Sequence, residues 1–188
     1  MKRLSATLIL AAALFASGGA FAQVHIEPHN YYWQRVVEYR GTPSAMRDRI
    51  IASGIFSDIQ RNDSTMIVGR VENVRLNYAT MEPEPRLFSL PIFFRNGEKF
   101  SGTLIYELKQ GRYRVTFKNL IYNGDMVLNV NGVSVDMRDQ PVNRIFYKSD
   151  GSFCRGARAR QFACEVFDYS FSNSFILTSD DEQQSDDW

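Results

Sequence analysis

Two cysteines and the arginines between them are the most distinctive reactive residues of the chain. Cys154 and Cys164 enclose the segment RGARARQFA. In an oxidising compartment an isolated pair of this kind forms a disulfide, and a loop of this length stabilises a fold by roughly 2–3 kcal/mol. The spacing is far from Cys-x-x-Cys, and too few thiols or histidines lie nearby for a zinc site. We therefore predict a Cys154–Cys164 disulfide.

The arginines of that loop form the candidate binding site. Arg155, Arg158 and Arg160 lie within six residues of one another. If a disulfide fixes the ends of the loop, their guanidinium groups are concentrated in a short arc that suits phosphates, acidic glycans or the carboxylates of a partner. The other interpretation is a solvated loop, or one neutralised by the acidic C-terminal residues. The sequence leaves both interpretations open.

Both histidines, His25 and His29, lie in the segment HIEPH. Together with Glu27 they could bind a transition metal, but the segment supplies only two imidazoles and lies near a chain end. They are weak metal candidates, and we predict neither a metal nor another cofactor. The chain has no Gly-x-Ser-x-Gly elbow and no phosphate-binding glycine loop. We predict that the protein is not an enzyme.

Residues 1–22 have the pattern of a secretory signal peptide. Lys2 and Arg3 precede an apolar stretch over 4–16, and Ala20-Phe21-Ala22 fits the small-residue exit, with cleavage before Gln23. The apolar stretch is too short to span a bilayer, and no later one is long enough. We expect export to the periplasm or beyond, no transmembrane segment, and a mature chain of 166 residues once residues 1–22 are removed from the 188.

The last ten residues, SDDEQQSDDW, contain five acidic side chains and no basic one. Such a segment repels itself and buries no apolar surface, so 179–188 is predicted to be a disordered tail. The body over 23–178 carries 20 basic and 16 acidic residues, which is far less basic than a nucleic-acid-binding domain. We predict one α+β domain over 23–178 with no nucleic-acid partner.

The elements of this domain are indicated by periodicity and turn residues. An aromatic and β-branched run predicts a strand over Tyr31–Arg40, and a second strand covers Met66–Tyr78 with a bulge at Gly69. Between them a helix is capped by Thr42, starts at Pro43 and ends at Gly54. Its Met46 and Ile50 lie four residues apart on the face predicted to contact the sheet.

Three hairpins are predicted, with turns at Asn96-Gly97, Gln110-Gly111 and Asn131-Gly132. The register of each brings apolar residues to one face, as a one-sided sheet requires. The expected opposed pairs are Phe93 with Phe100; Leu104 with Phe117, Tyr106 with Val115 and Leu108 with Tyr113; and Met126 with Met137, Leu128 with Val135 and Val130 with Val133. The second register also places Glu107 opposite Arg114, so that basic strand is predicted to be structural.

The aromatic segment FDYSFSNSF near the C-terminus fits two kinds of element. The alternation with polar residues includes Phe167, Tyr169, Phe171 and Phe175, and this period of two favours a strand over Phe167–Phe175. The alternative is a helix with Phe162 and Val166 on the same side as Tyr169. A strand would allow the protein to add to the sheet of a partner.

Residues 35–122 resemble a family of exported bacterial domains of unknown function with a TATA-binding-protein-like (TBP-like) fold. The residues that carry the resemblance are RVVEYRGTPSAMRDRI, MIVGRVENVRL and GTLIYELKQGRYRVTFKNLIY. The resemblance implies a curved, mainly antiparallel β-sheet of several hairpins with one or two helices on one face, located in the Gram-negative envelope. It implies no catalytic residues, and a shared sheet does not imply DNA binding.

Three functions remain after these exclusions. The first is a non-enzymatic envelope protein that binds an envelope protein or an anionic ligand through its sheet or its arginine loop. The second is a structural or assembly component that acts by β-strand addition. The third, which has the least support, is a hydrolase with an unfamiliar site.

Overall fold

The computed structural model describes residues 22–27, 30–82, 94–125, 127–130, 132–146, 148, 150 and 157–177. These ranges contain nine strands and three helices. In chain order they are β1 (Ala22–Glu27), β2 (Asn30–Glu38), α1 (Pro43–Ala52), β3 (Asp58–Asn62), β4 (Met66–Arg75), β5 (Lys99–Lys109), β6 (Arg112–Tyr122), β7 (Val127–Val130), β8 (Val133–Asp136), β9 (Gln140–Pro141), α2 (Val142–Phe146) and α3 (Ala157–Phe175).

The strands form one large antiparallel sheet and one small hairpin. The large sheet has the order β1-β2-β6-β5-β4-β3, and β9 pairs with the end of β6. The small sheet is the β7–β8 hairpin. The prediction of a mainly antiparallel sheet backed by helices is therefore confirmed, with three helices in the described part of the chain.

The predicted register of the β5–β6 hairpin is confirmed throughout. Leu104 lies opposite Phe117, Tyr106 opposite Val115, and Leu108 opposite Tyr113. All six side chains are buried in the core. In the β7–β8 hairpin, the two predicted pairs Leu128–Val135 and Val130–Val133 are also formed, whereas Met126 lies outside the described residues.

The turn predicted at Asn96-Gly97 is formed, since the N–H of Glu98 donates to the carbonyl oxygen of Arg95 at 3.2 Å, but the predicted pairing of Phe93 with Phe100 is wrong. Gly97 does adopt a turn conformation with φ of 92°, but its N–H donates to the carbonyl oxygen of Leu76 at 2.7 Å. Phe100 lies opposite Val74 of β4 and Tyr122 of β6, so both edges of β5 are already paired. No edge remains for a strand ending at this turn. Phe93, its expected contributor, is outside the described residues.

Helix α1 follows its sequence signals. The side chain of Thr42 accepts a hydrogen bond from the N–H of Ala45 at 3.2 Å, and Pro43 is the first helical residue. Met46 and Ile50 are buried, as predicted from their spacing. The helix thus begins at its cap and presents one apolar face to the core.

Two register shifts distort the ladders of β4. The first lies between Ile59 and Arg61 on β3, beside the predicted bulge position Gly69. A Cβ atom added to Gly69 would lie 2.4 Å from the carbonyl oxygen of Asp58. The second separates Val71 from Val74 on β4. Glycine is needed at 69 because the neighbouring backbone approaches so closely.

Of the two elements that fit Phe167–Phe175, the helix is formed and the favoured strand is not, because this segment lies within helix α3. Phe167, Phe171 and Phe175 are spaced by four residues and are all fully buried. The rings of Phe171 and Phe175 contact the sheet at Trp33 and Phe117, with centroid distances of 4.9–6.1 Å. The ring of Phe167 contacts Phe100 of β5 at 5.2 Å. Since the aromatic segment is a helix packed on the core, it is not available to join a partner's sheet as a strand.

Some predictions concern residues that the structure does not describe. The signal peptide apart from Ala22 and the acidic tail over 179–188 are of this kind. In the described part of the chain, none of the helices combines the length and the apolar character needed to cross a membrane.

Candidate functional site

The side chains that could bind a ligand are concentrated on the outer face of the sheet, which we define as the face opposite the aromatic residues of α3. It contains the alternate residues of the central strands, among them Gln34, Ile105 and Thr116, which lie next to one another across β2, β5 and β6. Gln34 donates a hydrogen bond from Nε2 to the Thr116 hydroxyl at 2.9 Å. The polar side chains in the middle of this face, Gln34 and Thr116, therefore bond to each other beside the apolar Ile105.

The charged pair predicted at the centre of the hairpin is formed. Arg114 donates from Nε and Nη2 to the two carboxylate oxygens of Glu107, both at 2.5 Å. This hydrogen bonding holds the pKa of the Glu107 carboxyl below its usual value. The pair neutralises itself, so Arg114 contributes little net charge to a ligand.

A basic cleft of about 240 Å³ lies where the hairpin ends. We call it the basic cleft. The residues that line it are Val36, Glu107, Lys109, Arg112, Tyr113 and Arg114. Lys109 and Arg112 are opposed across the two strands and exposed, and neither makes an ion pair within the described part of the chain. Because Glu107 is neutralised by Arg114, the residues that line the cleft carry a net charge of two positive units, with Glu38 of β2 opposite Arg112 at its edge.

The C-terminal end of α3 is anchored directly behind this cleft by two tyrosines. The Tyr106 hydroxyl donates to the carbonyl oxygen of Phe175 at 2.7 Å, and the Tyr113 hydroxyl accepts from the N–H of Leu177 at 3.1 Å. Burial raises the pKa of Tyr106, and it raises that of Tyr113 to about 12. Both hydroxyls therefore stay protonated at neutral pH and act as hydrogen-bonding groups.

A second cleft, of about 250 Å³, lies at the opposite end of β5 and β6. We call it the oxygen-lined cleft, and its residues are Arg70, Glu72, Asn73, Ser101, Asn123 and Asp139. Most of the groups that line it are polar oxygen or nitrogen atoms. A third, wider cleft of about 570 Å³ has Glu98 and Tyr122 among its lining residues, and the Tyr122 hydroxyl donates to Oε2 of Glu98 at 2.6 Å.

None of these three clefts contains a histidine or a cysteine. The nucleophile–base pairs of hydrolases, in which a histidine activates a serine or cysteine, are therefore not assembled in them. Across the described residues, no group of three or more histidine, cysteine, aspartate or glutamate side chains is placed to hold a metal ion. His25 lies in β1 and His29 is outside the described residues.

The predicted arginine loop is partly helical. Residues from Ala157 onward belong to α3, so Arg158 and Arg160 lie on its first turn rather than in a loop. Arg160 is exposed, whereas Arg155 and Cys154 are outside the described residues. The helix forms because its later residues bury an aromatic face, a signal that lies beyond the cysteine pair in sequence.

Cys164 lies on α3, half-buried, and has no disulfide partner within the described part of the chain. Burial raises the pKa of its thiol, which makes it a weak nucleophile at neutral pH. Because Cys154 is not described, the Cys154–Cys164 disulfide stays a prediction.

Two solved structures are similar to this chain. No family model matches the chain, and no curated protein matches it. A TBP-like protein from Parabacteroides distasonis ATCC 8503 is 12% identical with a TM-score of 0.47, over 81% of this chain and 92% of that chain. A DUF4468 family protein from Bacteroides ovatus ATCC 8483 is 10% identical with a TM-score of 0.39, over 82% and 91%. The first is described as TBP-like and the second by a family of unknown function, in agreement with the family that the sequence resembles. No functional conclusion follows from these similarities.

Proposed function

We propose that this protein is an exported, non-enzymatic binding module that recognises a carboxylate-bearing segment of a partner protein through the basic cleft. The observation that carries the proposal is the adjacent placement of Lys109 and Arg112, exposed and without an ion pair in the described residues. The sequence pattern of residues 1–22 supports export.

The chemistry of the basic cleft favours a carboxylate. An ammonium and a guanidinium group together offer several N–H donors, and hydrogen bonds between such charged groups are about twice as strong as neutral ones. Val36, which is 41% exposed, adds an apolar surface for the methylene groups of an acidic side chain. A volume of about 240 Å³ is suited to one or two side chains of a polypeptide.

The binding test uses the mature protein, residues 23–188, and a fluorescein-labelled peptide of alternating glutamate and serine. Lys109→Ser combined with Arg112→Ser should weaken binding at least about tenfold, since each charged hydrogen bond contributes about 1.5–3 kcal/mol. Fluorescence anisotropy measures the affinity. Added salt should weaken binding of the wild type, because exposed charges are screened over roughly 10 Å at about 0.1 M.

The matched control is Arg75→Ser combined with Lys148→Ser, which removes the same charge from exposed positions outside the cleft. This control should bind the peptide as the wild type does. Equal losses in both double variants would show that only net charge matters and would refute a specific cleft. Binding to anionic vesicles but not to the peptide would reassign the cleft to lipid phosphates.

Export is tested separately by mass spectrometry of the protein isolated from its native source. We expect the N-terminus to be Gln23 or its cyclised form, because Ala20-Phe21-Ala22 provides the cleavage signal. An intact Met1 terminus on the functional protein would contradict export by this signal.

A further inference from the structure

The oxygen-lined cleft lies on the same face of the sheet as the basic cleft but far from it. Ser101 of the oxygen-lined cleft and Glu107 of the basic cleft are both on β5. They are separated by an even number of residues and therefore point to the same face, about 20 Å apart at about 3.3 Å per residue. Nothing in the proposed role of the basic cleft uses these residues.

Two buried oxygen atoms in this cleft have no hydrogen-bond partner. Ser101 is only 2% exposed, and its hydroxyl makes no hydrogen bond within the described structure. The side-chain oxygen of Asn123, Oδ1, is also buried without a partner there. Since the great majority of buried polar atoms in proteins are paired, two such atoms on residues that line one cleft indicate a place for a group that donates hydrogen bonds.

The charges of the cleft leave one carboxylate uncompensated. Arg70 and Glu72 form an ion pair at 2.9 Å. Asp139 accepts a hydrogen bond at Oδ1 from Nδ2 of Asn123 at 2.9 Å, and it makes no ion pair within the described part of the chain. The cleft therefore offers three oxygen acceptors, from Ser101, Asn123 and Asp139, and a net charge of one negative unit.

We propose that the oxygen-lined cleft binds a primary ammonium group, as carried by a lysine side chain or an alkylamine. An ammonium has three N–H donors and one positive charge, which match the three acceptors and the single uncompensated carboxylate. A divalent cation would leave an excess positive charge beside Arg70. Its usual site also contains more carboxylates than this cleft supplies.

The negative charge of Asp139 can be removed without disturbing the backbone of the cleft. Asp139 has a φ of 55°, in the left-handed region where asparagine and aspartate are the most readily accepted non-glycine residues. Asp139→Asn therefore keeps both the backbone conformation and an acceptor oxygen for Asn123 while it removes the negative charge. Ser101→Ala removes the hydroxyl acceptor alone.

The experiment titrates the ¹⁵N-labelled mature protein with butylammonium chloride and follows two-dimensional NMR spectra. We expect saturable shifts of the Asn123 side-chain amide and of the Ser101 backbone amide. Asp139→Asn should weaken the affinity at least about tenfold, as expected for loss of a charged hydrogen bond. Ser101→Ala should weaken it severalfold. Each variant's own spectrum shows whether it is folded.

The matched control variant is Asp48→Asn, which removes an exposed carboxylate that is held by Arg47 on α1 and does not line the cleft. It should bind butylammonium as the wild type does. Nα-acetyl-lysine methylamide is the second probe. Binding at least as tight as that of butylammonium identifies a lysine side chain as the ligand, and binding of butylammonium alone identifies a small free amine.

Three results would overturn the proposal. The first is that butanol, which has the same chain without the charge, shifts the same signals equally. The second is that Asp139→Asn binds butylammonium with unchanged affinity. The third is that calcium chloride produces saturable shifts at Asn123 and Ser101 whereas butylammonium does not, which would make the cleft a metal site. The basic cleft and its glutamate peptide are unaffected by any of these outcomes.

Discussion

The hydroxyl of Tyr106 is expected to fix the end of α3 on the sheet, and its removal by Tyr106→Phe tests this packing. The hydroxyl donates to the carbonyl oxygen of Phe175 at 2.7 Å in a fully buried environment. The last four carbonyl groups of a helix have no partner within the helix, so this carbonyl depends on an external donor. The substitution leaves the carbonyl buried and unpaired, and the free energy of unfolding should fall by about 1–3 kcal/mol.

Urea unfolding at neutral pH measures this loss, and Tyr39→Phe is the control. Tyr39 is half-buried, and its hydroxyl makes no hydrogen bond within the described structure, so its loss should change stability by less than about 0.5 kcal/mol. Amide hydrogen exchange should show faster opening of the α3 end in Tyr106→Phe than in the wild type. Equal stability of the two variants would refute the anchoring of α3 through this carbonyl.

Three further outcomes follow from the same packing. Glu107→Ala should lower the free energy of unfolding by well under about 1 kcal/mol in urea titrations, because its ion pair is exposed. The free energy of unfolding should fall as pH rises from about 10 to about 12, since burial raises the pKa of Tyr113 to about 12 and also raises that of Tyr106. Once these tyrosines ionise in the unfolded chain, each lowers the free energy of unfolding by about 1.4 kcal/mol per pH unit, and urea unfolding at stepped pH measures the loss. Ser101→Ala without ligand should be neutral or stabilising by up to about 1 kcal/mol in thermal melts, because it removes an unpaired buried hydroxyl; a clear loss of stability would show that the hydroxyl is satisfied.

Local signals predicted the parts of the fold that are held by local contacts. Thr42 and Pro43 specify the start of α1, and the glycine at 111, with φ of 77°, fixes the turn that sets the register of β5 and β6. In such a hairpin the turn determines the opposed pairs as far as the first bulge, so the pairing of Leu104 with Phe117 follows from the turn without knowledge of the rest of the chain.

The aromatic C-terminal segment could not be assigned in the same way. Phe167 and Phe171 satisfy both a period of two and a period of four, so their spacing does not separate a strand from a helix. The helix is favoured by contacts with Trp33 and Phe117, which are more than fifty residues away in sequence. Only the helical period also brings Val166 and Ser170 to the buried face, because a strand would place them on the side opposite the phenylalanines. That choice requires the position of the sheet to be known.

The two clefts differ in how far the sequence reveals them. The basic cleft follows from the alternation of the β5–β6 hairpin, and the placement of Arg112 beside Lys109 could be derived from the predicted register. The oxygen-lined cleft depends on register shifts that the sequence does not mark. Asn119, with φ of 55°, lies where the β5–β6 ladder shifts, and this shift brings Asn123 to the outer face with Ser101.

The outer face thus carries opposite charges at its two ends, and this polarity limits the kind of partner that fits it. Lys109 and Arg112 give the hairpin end a positive charge, whereas Asp139 gives the other end a negative one. A segment in extended conformation covers the distance of about 20 Å with about six residues. An acidic and a lysine side chain at that separation would match both clefts in one orientation only, because the reversed orientation places like charges together. When two sites bind one chain, the second contact forms at the effective concentration set by the first, so two weak clefts can provide one specific interaction.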